Sequence, residues 1–568
     1  MSQNNWGPVT PFAQEIHASK YRNVGETFKE SQVRMAHTLK DNEEHYHALK
    51  DILLSQRFMG GGRTQAAIGS PRQVTPFNCF VSQDIEDSFD SIMATATRAG
   101  QTMRLGGGIG FNFSTLRPSG DRIVSLDSQS SGPISFMQIY DSICGTIAAA
   151  GHRRGAMMGV LRVDHPDIEH FIRVKQEKGV LENFNISIGI TDEFMMAVQE
   201  DDIFTLQFQG TPYKQVKARA LFESIMRATW DWAEPGVLFL DTINRENNLW
   251  YCEELNATNP CGEQPLPPNG ACLLGSYNVT KLVVRKIDGS YLDYEQLRAD
   301  IPHIVRAFDN IHDISTFPLP EQAQESQNKR RLGLGMTGVA NAIEALGYEY
   351  GSYRYVEEAE RLHSIFRDEC YRASALLAAE KGSFPAFNRE YYMKSPFVKR
   401  LPQSVQDMIM AFGMRNSHLI SYAPTGTISL CADNVSGGIE PVFAHEFDRD
   451  VILDGHAPRK ETIQDYGVKF FGVKGCKAAD LSPMQHLRVQ LAAQKYCDSA
   501  VSKTINVNGD CDWEDFKQIY MDAWEMGLKG CTTFNADGKR MALLVDKEAT
   551  TEGAACYINP ETGAKECS

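Results

Sequence analysis

No apolar run in these 568 residues reaches the eighteen or so that a membrane-spanning helix needs. The opening Met1-Ser2-Gln3-Asn4-Asn5 also lacks a charged-then-apolar leader pattern, so a cytoplasmic protein with no membrane role is expected. Basic blocks are missing too: 57 Lys and Arg against 72 Asp and Glu leave a net charge of −15, spread along the chain. A protein that grips a nucleic-acid polymer needs clustered cations, so that class is excluded. The 13 cysteines are odd in number and contain no C-x-x-C pair, which argues against a disulfide framework and against zinc. No metal ligands are assigned, and most of the thiols are read as small buried residues, roughly eight or more of them structural.

What is present is ordinary for a large folded body: 42% hydrophobic and 23% charged residues. Polar and apolar residues alternate at helical spacing between 26 and 58 and stop at Gly60-Gly61-Gly62, which predicts an N-terminal helical region over 1–70. An apolar segment at 77–81, a helical stretch at 89–103 and Phe111-Asn112-Phe113 then follow as strand, helix, strand. Strand-like runs recur at 186–190, 204–208, 236–240 and 419–422, between amphipathic helices such as 220–232 and 356–381. This alternation predicts an α/β body over 71–545. From 546 to 568 the chain is rich in Thr, Gly, Ala, Glu and Pro, the composition of a flexible tail.

The segment Asn256-Ala257-Thr258-Asn259-Pro260-Cys261-Gly262-Glu263-Gln264-Pro265-Leu266 displays one cysteine between proline and glycine, where regular helix cannot form. In an extended backbone Asn259, Cys261 and Glu263 project to one side. They supply a sulfur able to attack or hold a radical, a carboxylate able to take a proton and an amide able to orient a hydroxyl. A structural cysteine in an ordinary turn is the plainer alternative.

Asn-Pro-Cys-Gly-Glu resembles the fingertip of ribonucleotide reductase catalytic subunits, in the form usual for the adenosylcobalamin-dependent class. Four more blocks resemble the family in its own order: Pro76-Phe77-Asn78-Cys79-Phe80-Val81, Gly106-Gly107-Gly108-Ile109-Gly110, Gly270-Ala271-Cys272-Leu273-Leu274 and Ala423-Pro424-Thr425-Gly426-Thr427-Ile428-Ser429. The resemblance runs from about 60 to 540 and implies a ten-stranded α/β barrel with a central finger loop. It implies that Cys261 becomes a thiyl that takes the 3′ hydrogen of a ribose, that Glu263 takes the 3′-hydroxyl proton and that Asn259 positions the sugar. Cys79 and Cys272 become the dithiol that reduces the 2′ carbon, which requires Cα atoms within about 6 Å.

By the same resemblance, Asn78, Gly108 and the turn Pro424, Thr425, Gly426, Thr427, Ile428 and Ser429 hold the substrate, the turn cradling a diphosphate if Ile428-Ser429 opens a helix. The Gly106–Gly110 run is read as close backbone approach to substrate. A specificity effector, a deoxynucleoside triphosphate or ATP, is expected near Asp87, Arg117, Arg153 and Arg154. Gly530-Cys531-Thr532-Thr533-Phe534 has no tyrosine pair where iron-dependent members carry one, and no terminal glycyl-radical motif is seen. Adenosylcobalamin is therefore the expected cofactor.

The short N-terminus implies loss of the family's ATP-sensing module. The lack of a long insertion between Arg117 and Gly132 implies a homodimer. The tail residues Cys556 and Cys567 are read as a shuttle pair, reduced by a thioredoxin-like dithiol. Two rivals stay open: an iron- or manganese-dependent large subunit fed by a separate metallo-subunit, and a catalytically silent nucleotide-binding regulator.

Overall fold

Three short helices open the protein, each started by a side chain that satisfies an orphan backbone N–H. In this computed structural model, which describes residues 6–147, 156–177, 179–287, 289–451, 459–507, 511–535, 538–539, 545–546, 556–558 and 565–567, they are α1 (Pro11–Tyr21), α2 (Phe28–Leu39) and α3 (Glu43–Leu54). Thr10, Thr27 and Asn42 cap them, Thr27 reciprocally with Glu30. The glycine breaker does not lead into a linker. Residues 58–60 form β1 (Phe58–Gly60), antiparallel to 275–277, and α4 (Gly62–Ala67) follows at once. The boundary expected at residue 70 therefore does not coincide with a break in backbone pairing.

The body is mixed α/β. β2 (Cys79–Val81) leads to the amphipathic α5 (Phe89–Arg104), capped by Ser88, and then to β3 (Gly108–Asn112). β4 (Met157–Arg162) and β5 (Phe184–Ile190) continue the parallel order, and the near-continuous burial of β5 explains why it reads as an apolar run rather than an alternating one. The strand-like run at 204–208 does form β6 (Ile203–Phe208), but it pairs only with β7 (Thr211–Lys217) in a separate hairpin. Gln209 and Gly210, both left-handed, turn the chain back before it can join the larger sheet. α6 (Ala218–Trp232) buries Leu221, Phe222, Ile225 and Met226 at helical spacing, each worth about 1.5–3 kcal/mol of transfer free energy, and leads into β8 (Gly236–Phe239).

A hairpin of β9 (Ala257–Thr258) and β10 (Pro265–Leu266) comes next, then β11 (Ala271–Cys272) and β12 (Leu274–Asn278), and β13 (Gly333–Thr337). α7 (Tyr353–Lys381) is the longest helix among the described residues, and α8 (Gly426–Cys431) is one of the shortest. β14 (Thr504–Val507) and β15 (Gly530–Asn535) close the body, and β16 (Cys556–Ile558) pairs with β17 (Lys565–Cys567) near the C-terminus.

The eight-stranded sheet has the order β11-β2-β3-β4-β5-β8-β15-β14, and β1-β12-β13 form a second sheet. β2, β3, β4, β5 and β8 are mutually parallel, while β11 meets β2 and β15 meets β8 antiparallel. The strand expected at 419–422 is reduced to isolated parallel bridges, Leu334 with Ile420 and Tyr422 with Val501. Among the described residues no helix is long and apolar enough to cross a membrane.

Candidate active site

The β9–β10 hairpin presents residues 259–264 as a tight turn. Asn259 closes it from both sides: its backbone N–H donates to the Gln264 carbonyl (3.2 Å), and its side-chain Oδ1 accepts the Gln264 N–H (2.9 Å). Gly262 sits at φ +80°, where a side chain would be strained. That left-handed residue breaks the simple alternation expected of an extended backbone. Cys261 is exposed and Glu263 is buried, yet both line one cavity of about 830 Å³. Asn259 does not line it; its amide is fully buried and its Nδ2 has no partner. The expectation that all three side chains project together holds for two of them.

The hairpin is held by very close backbone approaches. A Cβ on Gly110 would lie 1.8 Å from the Thr258 carbonyl oxygen, and one on Gly108 would lie 3.0 Å from the Pro260 ring. Asn185 donates to the Pro260 carbonyl (2.8 Å). Gly107 faces the Phe80 ring, and Gly106, at φ +90°, faces the Arg63 guanidinium. The glycine run thus admits the finger and neighbouring side chains, and Gly108 is not among the residues lining the cavity. Sequence alone could not tell backbone approach to a ligand from backbone approach to another loop.

Behind the finger, the Glu263 carbonyl accepts from Ser421 Oγ (2.9 Å) and from the Ala500 N–H (3.0 Å). Both donors are anchored by Asp498, whose buried carboxylate accepts from Tyr371 Oη (2.6 Å) and from the N–H groups of Leu419 (2.7 Å) and Ile420 (2.9 Å). Burial pushes the Asp498 carboxyl up. No local motif marks Ser421 or Asp498, and they were missed for that reason.

Across the cavity, Cys79 of β2 and Cys272 of β11 are directly opposed in antiparallel register. Such partners lie about 4.5–5.5 Å apart by Cα, inside the range a disulfide spans. Both are thiols here and both are buried. Burial, then the proximity of Cys79, Glu263 and Cys261, pushes the Cys272 thiol well above its usual range. It therefore keeps its proton near neutrality and is placed to give up a hydrogen atom rather than to attack as a thiolate. Cys79, like Asn78, lines the cavity.

Pro424, Thr425, Gly426, Thr427 and Ile428 line the opposite side. The helix begins at Gly426, two residues earlier than expected, and Thr425 precedes it at φ 55°. The Thr425 hydroxyl is committed to the protein, bonding Thr337 Oγ1 (2.9 Å) and accepting the Gly438 N–H (2.7 Å). Ser429 is buried, bonds back to the Gly426 carbonyl and does not line the cavity. The anion-facing groups left are the exposed Thr427 and the first backbone N–H groups of α8.

Two further groups of candidates lie elsewhere. Asp87 and Arg117 meet outside the cavity, Arg117 Nε donating to Asp87 (2.7 Å) and the Arg117 N–H donating to its other oxygen (3.1 Å). Arg153 and Arg154 fall outside the described residues. Residues 556 and 567 face each other in backbone register between β16 and β17. The cavity also has liners that no motif signalled, among them Lys20, Tyr21, Arg63 and Arg72.

A thiol-bearing finger, an opposed pair of cysteines and a helix-opening turn around one cavity narrow the comparison to few families. The model of the ribonucleotide reductase barrel domain matches residues 77–534. The chain belongs to the ribonucleotide reductase family. A vitamin B12-dependent ribonucleoside-diphosphate reductase from Mycobacterium tuberculosis (strain CDC 1551 / Oshkosh) is 38% identical over 486 residues, 80% of this chain and 67% of its own. One of the same description from Thermoplasma acidophilum is 36% identical over 503 residues, 84% of this chain and 63% of its own. The ribonucleoside-diphosphate reductase subunit alpha of Chlamydia pneumoniae is more distant, at 24% over 542 residues, 80% of this chain and 51% of its own. This reductase chain thus spans about two thirds of the length of the B12-dependent relatives it matches.

Proposed function

We propose that this chain reduces ribonucleoside diphosphates to 2′-deoxyribonucleotides through a thiyl radical on Cys261, with adenosylcobalamin as cofactor. The observation that carries the reading is the convergence of Cys261, Glu263 and Cys79 on one cavity, with Cys272 in register behind Cys79. The greater identity to B12-dependent relatives than to the Chlamydia alpha subunit supports the cofactor assignment over a metallo-subunit. The residues present fit that group in one respect: among the three thiols, only Cys261 is exposed and can meet a radical source at the cavity. When bound, the cofactor supplies a radical by cobalt–carbon homolysis.

The rest of the chemistry belongs to the chain. The Cys261 sulfur removes the 3′ hydrogen of the ribose, and the Glu263 carboxylate takes the proton of the 3′-hydroxyl. Loss of the 2′-hydroxyl as water takes its proton from the Cys79–Cys272 pair, which then gives a hydrogen atom to C2′ and, in closing to a disulfide, an electron to the 3′ carbonyl, while Glu263 returns its proton to the 3′ oxygen. The 3′ hydrogen then returns from Cys261. Asn259, whose Nδ2 is unpartnered, is the donor read as holding a sugar hydroxyl. Phosphate goes to the start of α8, with Thr427 beside it.

The reading extends to a closed ten-stranded barrel over 71–545. Parallel β2, β3, β4, β5 and β8 and the parallel set β12, β13, 420–422, β14 and β15 support it, because the two sets meet antiparallel at both edges. A redox tail follows over 546–568, in which Cys556 and Cys567 pass electrons from a thioredoxin-like dithiol to the active-site disulfide. A triphosphate effector at Asp87 and Arg117, near exposed Phe89, Val124 and Leu126, is read as part of a homodimer interface. The test is reduction of CDP by the purified chain with adenosylcobalamin and a dithiol. Deoxynucleotide formation is expected; no activity, with rescue by a metallo-subunit, would overturn the cofactor assignment.

A further inference from the structure

The cavity has a wall that comes from outside the matched barrel region. Helix α1 lies between α4 and α8: Phe12, Ile16 and Tyr21 pack with Ala66, Ile428, Leu430 and Cys431 in one apolar cluster. Both ends of the helix are tied. At its start the Asp433 carboxylate accepts the N–H groups of Val9 (2.9 Å) and Thr10 (2.7 Å) and the Thr10 hydroxyl (2.8 Å). At its end the Arg72 guanidinium donates to the carbonyls of Arg22 (2.6 Å) and Lys20 (3.4 Å). Lys20, Tyr21 and Arg72 thereby line the same cavity as Pro424 to Ile428.

The charge of that lining is opposite to the charge of the chain. Lys20, Arg63 and Arg72 stand against one lining carboxylate, Glu263, in a protein of net charge −15. Arg63, on α4, packs against Gly106. Lys20 and Arg72 line the cavity together with the α8 turn, and among the described residues neither is ion-paired with a carboxylate. An acidic protein that collects cations on one side of a cavity, beside a helix start with open N–H groups, is built for a ligand with concentrated negative charge.

We propose that Lys20 and Arg72 bind the terminal phosphate of the ribonucleoside diphosphate, so that the N-terminal segment completes the substrate site. The inference rests on the reading of the α8 turn as the phosphate end of that site. Each cation adds a charge-assisted hydrogen bond that the barrel region alone does not offer, and the contact is made equally in ground and transition states.

The experiment is calorimetric titration of the full chain with CDP and with cytidine, alongside CDP reduction. Lys20→Gln is the decisive variant, because Arg72 holds the backbone carbonyl of residue 20 and that tether survives the substitution. CDP affinity is expected to fall roughly five- to thirty-fold, as for loss of one charged hydrogen bond in a partly wet site, with cytidine affinity changed less than twofold. Lys20→Arg is expected to restore most of the CDP affinity. Arg72→Gln is expected to weaken CDP further and to expose residues 20–22 to proteolysis. In turnover KM rises with the dissociation constant and kcat changes far less.

Lys20→Gln binding CDP like the unaltered chain overturns the proposal, as does an equal loss for CDP and cytidine. An unaltered chain that reduces no CDP, while Lys20→Gln still weakens CDP, refutes the reductase reading and leaves the phosphate contact standing.

Discussion

The two walls of the cavity hold their groups in different ways. On the barrel side, Cys272, Cys79 and Glu263 are locked by strand register and by buried hydrogen bonds. Burial decides protonation there, as the raised Cys272 thiol shows. On the N-terminal side, Lys20 is a partly exposed cation near the end of a short helix tied at its two ends, and the exposed Arg72 is the residue that ties that end. The first wall is suited to bond-breaking, which needs fixed atoms and a dry environment. The second is suited to holding charge, which tolerates water and some play.

The difference can be broken hardest at the finger. Cys261→Ser is expected to lower CDP reduction by a factor on the order of 10⁴ or more while leaving the melting temperature unchanged, since the residue is exposed. Retained turnover in that variant would remove the sulfur from the chemistry. Cys272→Ala probes the buried dithiol beside the finger. In a single turnover without external dithiol, the unaltered chain should lose two titratable thiols per deoxynucleotide, and the variant should lose none and form no product. The same change should cost only about 1 kcal/mol in chemical denaturation, because it removes little volume.

Burial as the controller of protonation is open to a separate check at Glu344. This residue ends the helix over Val339–Glu344, accepting the Cys476 N–H (2.7 Å), and burial raises its carboxyl from 4.5 to about 7. Between those values the folded chain keeps a proton that the unfolded chain has lost, so stability falls as pH rises through the window. The expected fall is about 3 kcal/mol by pH 8, and Glu344→Gln should flatten the profile. An unaltered chain with a flat profile between pH 4.5 and 8 would sink the argument. The fit of the finger itself is tested by Gly110→Ala, where the added Cβ meets the Thr258 carbonyl at 1.8 Å and must push the finger away. A stability loss of about 1–3 kcal/mol is expected, with a disproportionate loss of kcat, because the finger carries the reacting sulfur.

Part of the α/β body was legible along the chain. The parallel strands β5 and β8 appear as apolar runs because both faces are covered, whereas β4 was not read from the sequence. α6 appears because its buried residues fall at i, i+3 and i+4. The hairpin β6–β7 was misplaced in the main alternation because strand propensity does not say which strand is the partner. The finger motif was legible for Cys261 and Glu263. The common projection expected of all three side chains fails at Asn259, because the positive φ at Gly262 turns the loop and Asn259 Oδ1 accepts the Gln264 N–H.

The amino-acid sequence by itself determined that Pro260, Cys261, Gly262 and Glu263 would be displayed together, since covalent neighbours cannot be separated and proline with glycine forbids regular helix there. It equally determined the helical and strand periods, which are properties of single segments. Only tertiary structure decided that Cys79 would stand opposite Cys272, that Ser421 and Ala500 would hold Glu263, and that Lys20 and Arg72 would line one cavity with the α8 turn. Those meetings depend on strand register and helix docking between distant segments, which no local pattern encodes.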